Sequence, residues 1–86
     1  MKQAKPVVVH AVWDEDARVW VATSDDVPGL VTEADTAELL EARLKVLIPE
    51  LLIENGLIAR SERQEIPFHL LAERDSIAQC RQARLA

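Results

Sequence analysis

The side chains in this sequence best suited to chemistry are carboxylates, and they fall into two groups. Asp14, Glu15 and Asp16 make one; Asp25, Asp26, Glu33 and Asp35 make the other, with an apolar stretch between them. Hard cations such as Mg²⁺ take oxygen ligands, so two such clusters brought together could hold a metal and hydrolyse a phosphodiester. A metal-dependent nuclease also needs polar groups that position the substrate, and none accompanies these acids at a useful spacing. Charged turns are, moreover, the ordinary appearance of solvated hairpin ends. The reading is therefore a non-enzyme with no catalytic residue and no metal site, the nuclease being the least favoured alternative.

The other reactive side chains support no further site. His10 alternates with valines and His69 sits in IPFHLL, neither with a His, Cys or Asp at metal or triad spacing. Ser24, Ser61 and Ser76 lack the glycines of a nucleophile elbow. No phosphate loop, dinucleotide fingerprint or calcium loop occurs, so no cofactor is expected. Cys80 is the single cysteine, with no partner for a disulfide or a zinc site.

The elements that must position these groups follow from periodicity. Val7–Trp13 (VVVHAVW) and Val19–Thr23 (VWVAT) are β-branched runs separated by the acidic corner, which predicts a hairpin. Pro28-Gly29 predicts a turn into a third strand over Leu30–Ala34. From Asp35 the period moves to that of a helix, with Leu40, Leu44, Leu47/Ile48 and Leu51/Leu52 on one stripe. Asp35 with Glu38 reads as a capping box, and Asn55-Gly56 as the C-terminal cap. Pro49 predicts a kink or break near Val46–Ile48, with a second short helix running to Asn55. After a polar connection over 57–65, Ile66–Ala72 predicts a last strand that admits Pro67 near its start or on an edge. The tail from Asp75 is helix-compatible. The order β-β-β-α-β, an antiparallel-dominated sheet under one helix, is an α+β fold occupying residues 1–75, with 76–86 as a short tail.

Composition narrows the partners. At 86 residues, folding buries roughly 60–65% of the unfolded surface, so self-association, as a homodimer or larger homo-oligomer, is an expected supplement to stability. No apolar run reaches the ~18 residues of a membrane span, and the N-terminus carries no secretory pattern, which points to the cytoplasm. Net charge is −5; residues 14–54 carry eleven acids against three bases, the remainder four against seven. A body so charged repels a phosphate backbone and suits a basic partner.

Taken together, the VWVATS strand, Asp26-Val27-Pro28-Gly29, the segment VTEADT with Thr32, Asp35 and Thr36, and the helix opening AELLE resemble the HicB family of antitoxin domains over residues 7–55, with Ile66–Arg74 supplying the last strand. VLIPELLIENG and IPFHLLAER are similar to a small group of standalone HicB-like proteins. The resemblance implies a truncated ribonuclease-H-like scaffold without its catalytic acids. It implies binding as the activity: HicB proteins neutralise HicA, a small basic toxin that cleaves messenger RNA, by covering its RNA-binding face. By that analogy Asp14, Glu15, Asp16, Asp25, Asp26 and Glu33 would contact the toxin. Two departures stand out. Ser76–Ala86, with Arg81 and Arg84, is too short for the DNA-binding module that many HicB proteins carry, so operator binding is not expected. Leu30 stands where many relatives have cysteine. The alternative reading is a scaffold or regulatory protein of the same fold with a different partner.

Overall fold

The computed structural model describes residues 6–60 and 65–80. Its elements run β1 (Val7–Asp14), β2 (Val19–Thr23), β3 (Val31–Ala34), α1 (Ala37–Glu54) and β4 (Phe68–Glu73). The β-β-β-α-β order is the one the periodicities dictate. β1, β2 and β3 pair antiparallel in succession, while β4 returns beyond the helix to pair parallel with β1, giving the sheet order β3-β2-β1-β4. A parallel neighbour requires a crossover, and α1 supplies it.

Alternation divides the sheet into two faces. Val9 and Ala11 of β1, Ala22 of β2 and Ala34 of β3 point to one side and are buried. Leu40, Leu44, Ile48 and Leu52, four residues apart along α1, are buried with them in one cluster. The alanines let the helix lie close to the strands, and each buried leucine or isoleucine contributes roughly 2 kcal/mol. Among the described residues nothing covers the opposite face.

The junctions show how side chains set the ends. Leu30 N–H donates to Val27 C=O at 3.1 Å across Pro28 and Gly29, and Gly29 has φ +85°. This is a type II turn, which demands a positive φ at its third residue. Leu30 is thereby buried, 2% exposed, and the third strand starts one residue later than the sequence suggests, at Val31. The helix is capped by Thr36, not Asp35: Thr36 Oγ1 accepts from Leu39 N–H at 3.0 Å. Glu38 consequently falls one position short of the site from which a capping box closes, although a carboxylate in the first turn still favours the helix dipole.

The expected break at Pro49 does not occur, and neither does a second helix: α1 is a single helix of 18 residues through Pro49. The missing N–H leaves one carbonyl free, that of Lys45, whose side is exposed to water. Burial of Leu44, Ile48 and Leu52 on both sides of the proline outweighs its cost of roughly 3 kcal/mol. The helix ends as a Schellman motif, with Gly56 N–H donating to Ile53 C=O and Leu57 N–H to Leu52 C=O, and Gly56 at φ +73°. Asn55 Nδ2 also donates to Pro28 C=O at 3.1 Å, fastening the helix end to the β2–β3 turn. Pro67 lies just before β4 and its C=O accepts from Val7 N–H, so β4 begins at Phe68. The tail is not helical over 74–80, and Arg81 and Arg84 lie outside the described residues, as does Ser61.

Candidate partner-binding surface

The acids first singled out do not keep to their two sequence groups: Glu33 pairs with Val21, level with Val12, and so lies towards the hairpin corner, away from Asp25 and Asp26. Asp14 closes β1 at the hairpin corner, whereas Asp25 and Asp26 lie in the β2–β3 loop, beside Val8 at the start of β1. Six strand residues separate those levels, about 20 Å at 3.3 Å per residue. Asp25 and Asp26 therefore do not form one site with the corner acids. Among the described residues, no three His, Cys, Asp or Glu side chains gather to hold a metal ion.

Each cluster contains acids engaged in building the fold and acids left exposed. At the corner, Asp14 Oδ1 accepts from the amides of Asp16 and Ala17, both at 3.1 Å, while Arg18 N–H donates to Asp14 C=O at 2.7 Å. Glu15 accepts from Trp13 Nε1 and from the Arg18 guanidinium, both at 2.7 Å. The indole N–H, reinforced by the charges of Arg18 and Arg74, holds the Glu15 carboxyl below the usual carboxylate range. Trp13 packs edge-on to Trp20 with centroids 5.4 Å apart, and Arg74 lies 4.2 Å from the centre of the Trp13 ring. That stacking was invisible in the sequence, because Arg74 reaches Trp13 only through the parallel register that pairs Ala11 with Ala72.

In the β2–β3 loop, an Asp26 carboxylate oxygen accepts from Val8 N–H at 2.8 Å, and Ser24 Oγ donates to Val8 C=O at 2.6 Å. Two side chains thus satisfy the backbone of β1 where its ladder with β2 ends. Asp26 looks like a free docking acid in the sequence; its carboxylate here ties the loop to the sheet. Asp16, Asp25 and Glu33 are exposed, with no side-chain hydrogen bond or ion pair among the described residues.

The larger feature is the uncovered sheet face, which alternation assembles from residues remote in sequence. Val8, His10 and Val12 of β1, Val21 of β2, Val31 of β3 and Leu71 of β4 stand on it, since register pairs His10 with Thr23 and Leu71, and Thr23 with Val31. Val31 is 69% exposed, Val12 51% and Leu71 38%. The carboxylates of Asp14, Glu33 and Glu73 share this face, His69 lies beside Val8, and no Lys or Arg stands on it among the described residues. An apolar centre edged by one sign of charge is the make-up of a protein interface. Sequence reasoning found Glu33 and Asp14 but not the valines, whose exposure depends on which face the helix covers.

One helix closed over one face of a four-stranded mixed sheet, with the other face uncovered among the described residues, defines a small α+β domain. The chain belongs to the family described as a domain of unknown function, DUF1902, whose model matches residues 6–80. It is similar to a hypothetical protein, TTHA1013, from the extremely thermophilic bacterium Thermus thermophilus, whose crystal structure matches 88% of this chain and 100% of its own at 47% sequence identity, with a TM-score of 0.64. No curated protein matches. No helix among the described residues is long and apolar enough to cross a membrane.

Proposed function

We propose that this protein is a non-catalytic binding module of antitoxin type, which neutralises a small basic HicA-type ribonuclease by docking on and masking its RNA-binding face. The observation that carries this reading is the uncovered sheet face: Val12, Val31 and Leu71 exposed across it, Asp14, Glu33 and Glu73 on it, and no basic residue among those described. An RNA-binding surface is cationic, so such a face complements it in charge and buries apolar area at the same time. The excess of acids over bases in residues 14–54 extends the attraction beyond the contact itself and accelerates encounter. The sequence resemblance to HicB domains supplies the class of partner.

Co-expression with a HicA-type toxin, followed by co-purification and a growth assay, tests the reading. Wild type rescues growth and retains the toxin. Glu33→Arg/Glu73→Arg, both exposed and outside the core, lowers the association rate about tenfold at low salt, and the gap narrows as salt is raised. A toxin equally lethal with and without this protein would overturn the proposal.

A further inference from the structure

The helix carries a second apolar stripe beside the one that enters the core. Leu39, Ala42 and Val46 are spaced three and then four apart, with Leu47 half-buried beside them. This is the spacing of a seam between paired helices. Leu39 is 50% exposed and Val46 60%. They line a groove of about 500 Å³, which Thr32 of edge strand β3 bounds on one side and to which Arg43 and Glu50 also contribute.

We infer that this groove is filled by a second copy of the chain, its α1 running antiparallel to the first about a two-fold axis beside Val46 and Leu47. The charges argue for this occupant. Arg43 and Glu50 lie seven residues apart on the same flank, about 10 Å along the axis, and neither joins an ion pair among the described residues. A two-fold axis midway between them sets Arg43 of each copy against Glu50 of the other, so the surface is self-complementary, as an isologous contact must be. A parallel pairing would oppose Arg43 to Arg43 and Glu50 to Glu50. A strongly basic partner would meet Arg43 with like charge. The contact also covers the flank beside β3, whose outer edge is unpaired among the described residues, and adds apolar burial to a domain whose described core is one small cluster. It lies away from the uncovered sheet face, so self-pairing stands independently of the toxin-binding reading.

Sedimentation equilibrium on the full chain at low salt tests it, with circular dichroism to show that each variant stays folded. Wild type is expected to dimerise. Arg43→Glu, which opposes two acids at both symmetric positions, weakens the dimer about tenfold or more, and Arg43→Glu/Glu50→Arg restores it to within about threefold. Val46→Glu also weakens it at least about tenfold. A wild type still monomeric at about 1 mM, a dimer indifferent to Arg43→Glu and Val46→Glu, or a double variant as weak as the single one would overturn the proposal.

Discussion

At the hairpin corner, Asp14 accepts hydrogen bonds from amides two and three residues on; at the other end of the sheet, Asp26 reaches back 18 residues to the amide of Val8. In sequence the two acidic turns are near twins. In the structure the Asp14 carboxylate and carbonyl bond only within their own turn, as far as Arg18, and the other turn is a clasp between a loop and a strand remote from it. Both commit a carboxylate to the backbone and leave others exposed. An acid cluster is thus a mixture of architectural and available groups, and the division between them is set by where the chain's unpaired amides lie.

The largest effect expected from that comparison is at the clasp. Asp26→Ala leaves Val8 N–H without its charged acceptor and frees the loop from β1, which costs roughly 1.5–3 kcal/mol. Denaturant unfolding with the slope held constant measures it, and a cost below a few tenths would show that water replaces the carboxylate. Asp14→Ala should cost less, roughly 0.5–1 kcal/mol, because both its acceptor bonds are local and the Arg18 to Asp14 backbone bond still closes the turn. If Asp14→Ala proved the more damaging of the two, the ranking of long-range over local contacts would be reversed. Asp25→Asn, by contrast, should leave stability unchanged and act only on partner binding.

Much of this architecture was legible in the residues. β-Branched runs gave the hairpin, Pro28-Gly29 gave the turn, and the leucine spacing gave the helix with its buried stripe. What could not be read were the choices between near-equal local options and everything that depends on register. Asp35 and Thr36 can both cap a helix, and only the position of Leu39 N–H selects Thr36. Pro49 argues for a break on propensity alone, but the burial of Leu44, Ile48 and Leu52 overrides it. Likewise the role of Asp26 depends on Val8, and the uncovered face depends on four strands meeting in one register; neither leaves a mark in any short window of sequence.

The smallest effect expected concerns Glu15, and it separates the corner from the clasp by pH. Its carboxyl is held below the usual range chiefly by Trp13 Nε1–H, with Arg18 and Arg74 adding their charge. A depressed pKa in the folded state means that the stabilisation is fully present above the unfolded value, and so at neutral pH, and is lost as pH falls through the lower, folded value. The group is fully exposed and screened, so the consequence for overall stability is slight. The titration itself is the sharper readout. Carboxyl chemical shifts followed by NMR should place the Glu15 midpoint below the ordinary carboxylate range, and Trp13→Phe, which keeps an aromatic ring for Arg74 but deletes the donor, should move it upward. If the midpoint does not move in Trp13→Phe but rises in Arg18→Gln, then the guanidinium and not the indole governs this corner.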